Sequence, residues 1–370
     1  MLTVAFFTHS ARPSGAELLV ARVAAAMTQV RPLVILGEHG PLEQILRERG
    51  IETLVVPLRA GEGARVRPWR YARGLAATLR GRNVDRVYTH SAKAHLLGGI
   101  AGRLARIPVI SHAHDLLGAP AHGPLPSLAL RTAFATLPST RIANSTLTKQ
   151  SAGWAARLAW ATVACPIDTP EQAAPPSAER ARAPGQPIRL LVLGRITEWK
   201  GQDLAIRALS TLRSAGHPVE LDIAGDTQFP GDDEYLARLK QAVADLRLTP
   251  FVHFLGHVDR PDEIIRHADI VLHTSTRPEP FGQVIIESLA AGRPTVVAAN
   301  AGAVELLTPG VDCETYPAGS ASGLTLAIRR LIDEPMRRTT VGAAAIASAS
   351  RFTTGRIVPE IENLLIATRK

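Results

Sequence analysis

The sequence predicts an α/β protein built from two doubly wound parallel sheets. Three observations lead there. Short apolar runs alternate with amphipathic segments from the first residues onward, the pattern of strands followed by helices. The alternation stops in a Pro- and Ala-rich passage from Cys165 to Pro187 and then restarts. At 370 residues and 46% hydrophobic content, the chain is long and apolar enough for two cores.

Taken in order, the first half offers strand candidates at 2–8, 32–36, 53–57, 84–89, 109–111 and 141–143. Helices are expected over 16–30 and 92–105. Segment 65–82 places Trp69, Ala72, Leu75, Ala76 and Leu79 on one face at helical spacing. That face is expected to pack on the first sheet and leave Arg65, Arg67, Arg70, Arg73, Arg80 and Arg82 outside. Residues 166–187 read as a linker. The second half offers strands at 189–193, 220–224, 252–255, 270–274 and 295–299. The expected division is a first domain over 1–165, a second over 188–351 and an amphipathic last helix within 352–370.

Aromatic residues make up only 4% of the chain, so Val, Ile, Leu and Ala must fill the cores. Cys165 and Cys313 are the only cysteines, which indicates neither a disulfide framework nor a zinc knuckle. No apolar run approaches the ~18 residues of a membrane span, and no signal peptide is expected. Charge is uneven. Residues 1–165 carry 20 Lys+Arg against 8 Asp+Glu, while 166–370 carry 22 against 25. The excess in the first half suits an anionic partner. Nucleic acid is not expected, because no binding motif and no basic–aromatic interleaving accompany it. A membrane surface or an anionic lipid-linked acceptor fits better, with solvated arginine-rich faces as the bland alternative. A cytoplasmic location, peripheral on the inner face of the membrane, is expected.

The densest chemistry lies between Arg277 and Pro294, RPEPFGQVIIESLAAGRP. Glu279 precedes Pro280-Phe281-Gly282, and an apolar run follows, so Glu279 belongs to a loop and Glu287 to the helix after it. Carboxylates accept from sugar hydroxyls, and amides at a helix start donate to anions. Upstream, Gly194-Arg195 ends a strand, and Lys200-Gly201 opens the next helix. Two cations at a helix start oppose its dipole unless an anion arrives, and a diphosphate would supply one. In the first loop, Ser14-x-x-Glu17 reads as a capping box, and Gly15 would let the backbone approach a phosphate. His112 and His114 would share one face of a continuing strand, followed by Asp115. The spacing could suit a metal, but no third ligand cluster accompanies it, and no metal is expected. There is no G-x-G-x-x-G after the first strand, no Gly-Lys dipeptide for a phosphate-binding loop, no D-x-D at a strand end and no G-x-S-x-G.

Together these segments resemble the retaining GT-B glycosyltransferases of family 4, the glycosyl transferases group 1. The 279–287 segment resembles the family's E-x7-E motif, and 194–201 its G-R-x-x-x-x-K-G segment. The first loop resembles its Gly-Gly-x-Glu loop, with Ser14 for the first glycine. Asn300-Ala-Gly-Ala-Val-Glu305 and Gly310-Val-Asp-Cys313 resemble two further turns, each with a glycine missing. Ser320 stands where the family usually shows an aspartate. Segment 40–50 resembles polysaccharide-assembly members. The resemblance implies two Rossmann-like domains facing a cleft. It implies transfer of a sugar from a nucleotide diphosphate donor to a hydroxyl acceptor, in polysaccharide or glycolipid assembly, without a cofactor or metal. It assigns His114 (or His112) and Glu279 to the transferred sugar. Gly15, Arg195, Lys200, Phe281, Gly282 and Glu287 go to the donor, Glu287 through the ribose. A GT-B relative of other chemistry, such as a sugar-nucleotide epimerase or phosphorylase, and a non-catalytic nucleotide-sugar binder are the alternatives.

Overall fold

The computed structural model describes residues 1–60, 64–65, 67–118, 123–168 and 186–369. The chain divides into two compact units. One comprises Met1–Asp168 with Phe352–Lys370, the other Thr169–Arg351. Most of the passage expected as a linker, 166–187, lies outside the described residues.

The first unit carries strands β1 (Leu2–Thr8), β2 (Val30–Leu36), β3 (Glu52–Val55), β4 (Arg59–Ala60), β5 (Ala64–Arg65), β6 (Arg86–Thr89), β7 (Val109–Ala113), β8 (Thr140–Ala143) and β9 (Ala161–Thr162). Seven of them form a sheet in the order β3-β2-β1-β6-β7-β8-β9, and β4 pairs only with β5. Every pairing in the large sheet is parallel. Parallel sheets are covered on both faces, which is why β1 reads as an unbroken apolar run. Val4, Ala5, Phe6 and Phe7 are fully buried.

The second unit repeats the plan with β10 (Ile188–Leu193), β11 (Val219–Ala224), β12 (Val252–Gly256), β13 (Ile270–His273), β14 (Thr295–Ala298) and β15 (Glu314–Tyr316). Their order is β12-β11-β10-β13-β14-β15, again all parallel. In each sheet the order reverses once, beside β1 in the first and beside β10 in the second. Loops leaving the carboxyl ends on either side of such a reversal splay apart and leave room for a ligand. Thr8 and Thr89 mark that point in the first unit, Leu193 and His273 in the second.

Several expectations need correction. The helix expected over 16–30 spans Gly15–Ala25, and Val30 opens β2. The chain turns at 28–30 because the buried Glu362 carboxylate accepts from the amides of Thr28 (2.7 Å), Gln29 (2.6 Å) and Val30 (3.3 Å). Glu362 belongs to the last helix, Thr354–Ala367, whose Ile357, Val358, Ile361 and Leu365 are buried in this unit. The segment expected as a helix over 65–82 is helical over Pro68–Gly81, with Tyr71, Ala72, Leu75, Ala76 and Leu79 buried. Trp69 does not join that face and is 55% exposed. Arg65 lies outside the residues whose side chains are described. Strands β9 and β15 have no counterpart in the sequence reading. Ser320, which replaces the aspartate usual in the resembled family, still caps a helix, accepting from the Gly323 amide at 3.0 Å. Among the described residues no helix is long and apolar enough to cross a membrane.

Candidate functional site

In the second unit, two loops meet at the reversal of the sheet. The first leaves β10 at Gly194 and runs through Arg195 to a short 3-10 turn, Glu198–Lys200. Gly201 then caps the helix Gln202–Ser214 at φ 67°. A Cβ there would collide with the Thr274 carbonyl oxygen, so only glycine permits this turn. The second loop leaves β13 at His273 and reaches Glu279. The loops are tied by Thr274 Oγ1 donating to Lys200 O (2.7 Å) and by the Thr276 amide donating to Trp199 O (2.8 Å). The Glu279 loop is also held from below. Its amide donates to Asn300 O (3.2 Å), Glu279 O accepts from Gly302 N (2.9 Å), and Phe281 O accepts from Ala303 N (2.8 Å).

These ties set a carboxylate among three donors. Lys200 Nζ lies 2.6 Å from Glu279 Oε1, and His273 Nε2 lies 2.7 Å from Oε2. Ser275 Oγ also donates to Oε2. The Glu279 side chain is only 12% exposed. Burial pushes its pKa up, but Lys200 and His273 outweigh burial and hold it well below the ordinary carboxylate range. A small solvent-open recess borders the group, lined among others by Gly194, Lys200, Gln202, His273, Ser275 and Glu279.

The sequence had left Lys200 and Arg195 as two cations awaiting an anion. Lys200 already has one in Glu279, and its Nζ also lies 4.5 Å from the Trp199 ring centre. Arg195 stacks its guanidinium over Phe229 at 4.6 Å, and its buried Nε has no hydrogen-bond partner among the described residues. Phe281 is buried at 3% exposure. Gly282 caps the helix Gln283–Ala290 at φ 96°, where a Cβ would come within 2.6 Å of Ile285 Cδ1. Glu287 is half-buried on that helix, about one turn in from its start. Segment 268–275 leads into the Glu279 loop in the sequence too, but the sequence alone gives His273 within it no role. The signal was a polar residue closing the apolar strand β13, six positions before a glutamate.

In the first unit, Gly15 is the first residue of its helix, and a Cβ there would meet nothing within 4 Å. The capping box expected at Ser14 and Glu17 is not formed. Ser14 caps no amide; its hydroxyl donates to Glu17, which also accepts from Thr8 Oγ1 at 3.4 Å. Glu17 is buried, and burial raises its pKa against those two hydrogen bonds. Across the sheet reversal, His9 Nδ1 lies 2.7 Å from Ser91 Oγ.

His112 and His114 lie with ring centres 4.1 Å apart and planes tilted by 38°, but their surroundings differ. His112 is an interior residue bonded to the Tyr88 hydroxyl at 2.7 Å. His114 follows the end of β7; its Nε2 lies 3.3 Å from His90 Nδ1, and its Nδ1 lies 3.8 Å from Cys165 Sγ. Burial lowers the His114 pKa to about 3, so the ring is neutral. Among the described residues no group of three or more His, Cys, Asp or Glu side chains could hold a metal ion.

Two family models match the chain. Glycosyl transferases group 1 covers residues 176–347, and the glycosyl transferase 4-like domain covers 14–148. Anabaena Alr3699/HepE, solved in complex with UDP-glucose, is 28% identical with a TM-score of 0.86, covering 99% of this chain and 100% of that one. Sucrose-phosphate synthase from Thermosynechococcus elongatus shares the fold at 17% identity and a TM-score of 0.80, covering 98% of each chain. Mannosylfructose-phosphate synthase of Agrobacterium fabrum is 37% identical over 126 residues, 33% of this chain and 27% of that protein. The amylovoran biosynthesis glycosyltransferase AmsK of Erwinia amylovora is 34% identical over 155 residues, 40% of this chain and 36% of that protein. The match thus spans about a third of these curated relatives. Both sheets, both loops at their reversals and both family models agree: the chain belongs to the group 1 glycosyl transferases and has the GT-B fold.

Proposed function

We propose that this protein transfers a sugar, with retention of anomeric configuration, from a nucleotide diphosphate donor to a hydroxyl acceptor in polysaccharide or glycolipid assembly. The observation that carries the reading is the clamp on Glu279. A carboxylate offers about four lone-pair sites. Ser275 and His273 occupy Oε2, while Lys200 takes one side of Oε1. The remaining capacity lies on Oε1, and an ionised acceptor at the lip of a recess suits the hydroxyls of a bound sugar.

In this reading Lys200 and Arg195 neutralise the departing diphosphate, a task that other transferases give to a divalent ion. Arg195 offers its planar guanidinium to a phosphate oxygen in this reading. The amides at Phe281-Gly282 hold the sugar from the helix start, Glu287 accepts from ribose hydroxyls, and Gly15 leaves its backbone open to approach. In this reading His114 serves the transferred sugar as a neutral imidazole, as the family resemblance implies. The UDP-glucose bound by the Anabaena protein makes a uridine diphosphate hexose the first donor to test. A thermal-shift screen of UDP-, GDP-, ADP- and dTDP-sugars tests the donor. A stabilised complex that survives saturating chelator supports the reading, and no stabilisation by any of them overturns it. The anomeric coupling of the product then tests retention.

For the acceptor, the helix Pro68–Gly81 supplies the supporting surface. It contains no acidic residue, and Arg67, Arg70 and Arg73 are exposed around Trp69. Among the described residues none of the three makes an ion pair. Each basic residue near an anionic bilayer contributes roughly 1 kcal/mol, and tryptophan favours the interface. A peripheral enzyme meeting an anionic or lipid-linked acceptor at the cytoplasmic leaflet follows. Co-sedimentation with anionic vesicles at low salt, lost at high salt, supports this, and no binding at low salt overturns it.

A further inference from the structure

His273 ends β13 with its side chain 6% exposed, and nothing in the family resemblance gives it a task. Its Nε2 faces Glu279 Oε2 at 2.7 Å. An ionised carboxylate only accepts, so Nε2 is the nitrogen that bears the proton. Nδ1 is buried and has no partner among the described residues.

The three donors on Glu279 are not equivalent. Lys200 is a flexible ammonium at 21% side-chain exposure, and it borders the recess that the diphosphate enters in the proposed function. An arriving diphosphate competes with Glu279 for its charge. Ser275 and His273 are fixed differently. Ser275 is fully buried, and His273 is anchored in the strand register that pairs it with Val297 and by Tyr316 OH donating to its carbonyl at 3.3 Å. Neither can follow a phosphate.

We infer that His273 is a positioning residue: its Nε2–H holds Glu279 Oε2 in place when the donor diphosphate draws Lys200 away, so that Oε1 stays aimed at the transferred sugar. The inference rests on the proposed donor site and adds a residue that acts through Glu279 without touching the donor.

The test compares His273→Gln, whose amide N–H reaches about as far as Nε2–H, with His273→Leu, which fills the space without a donor. Calorimetry would measure UDP and UDP-glucose on the full chain, alongside turnover. A hydrogen bond to a charged group corresponds to about 10- to 100-fold in affinity. His273→Leu should therefore bind UDP within about twofold of the unaltered protein and lose about tenfold or more in UDP-glucose affinity and in kcat. His273→Gln should recover most of both. Equal losses for UDP and UDP-glucose in His273→Leu, with a lowered Tm, would mean that the ring merely packs, and would overturn the inference. So would a His273→Gln variant no better than His273→Leu. If the unaltered protein bound neither ligand, the donor reading itself would fall, and this inference with it. Binding by the unaltered protein with no change in either variant would remove only the role of His273.

Discussion

Glu279 meets Lys200, His273 and Ser275 through two oxygens, and that arrangement changes what a substitution there should do. From sequence alone, Lys200→Ala would relieve like charges at a helix start. In the structure it strips a partner from a carboxylate that is 12% exposed. Lys200→Ala should lower turnover about 10²–10³-fold through loss of a preorganised charge. It should also cost about 1–3 kcal/mol of stability, since one donor to a buried carboxylate disappears. Turnover near normal in a folded variant would refute the assignment. The two glutamates should separate. Glu279→Gln turns an acceptor-only group into one with an N–H that conflicts with three donors, so turnover should fall while UDP affinity is nearly kept. Glu287→Gln should mainly weaken UDP. Equal effects on UDP affinity would erase the distinction. Lys200 and Glu279, which the structure brings together, were legible because charged types at motif spacing stand out. His273 was not, since its closeness to Glu279 depends on the Asn300–Ala303 segment folding the loop back, which no local pattern announces.

Among elements, the parallel strands of both sheets were legible from their unbroken apolar runs. The edges were not. Strands β9 and β15 have only two and three residues, and they exist because a neighbouring strand offers free backbone groups rather than through any propensity of their own. The overlong helix over 16–30 failed for a related reason. Alanine and valine continue a helical pattern through Ala26, and the stop comes from Glu362, more than 300 positions away. Glu362 serves three amides at once, so Glu362→Ala should leave the buried Val30 amide without this partner and give up those of the exposed Thr28 and Gln29 to water. The expected cost is about 2–4 kcal/mol in chemical denaturation, with the last helix exchanging its amide hydrogens first. A loss below about 0.5 kcal/mol would mean that water or another group takes over these amides.

Over the whole molecule, the first unit hides four neutral histidines, His90, His95, His112 and His114, each at 9% exposure or less. Burial, followed by the mutual repulsion of their charged forms, places His90, His95 and His112 well below the ordinary histidine pKa, and burial alone takes His114 to about 3. The unfolded chain then binds more protons than the folded one below about pH 6.5, so stability is full above that pH and falls as pH drops through it. Each such histidine costs about 1.4 kcal/mol per pH unit until its folded form titrates. Glu17, Asp222 and Glu360, each with its pKa raised by burial, work in the opposite direction, but only in the carboxylate range and above it, and three carboxylates stand against four rings. The midpoint of unfolding should drop steeply between pH 6.5 and 5, and a flat profile there would contradict the cluster's neutrality. The basic character of the first half was legible from composition, whereas the histidine cluster required the register of β6 against β7 to bring residues 90, 112 and 114 together. The central claim is that the loops at the β10–β13 reversal hold a nucleotide diphosphate sugar through charged side chains. Calorimetric titration of UDP-glucose into the full chain tests it most directly, run with and without chelator and repeated on Lys200→Ala and Glu287→Gln. The account predicts saturable binding, unchanged by chelator and weakened about tenfold or more in each variant. Absence of binding, or binding that vanishes with chelator and is unaffected by both substitutions, would contradict it.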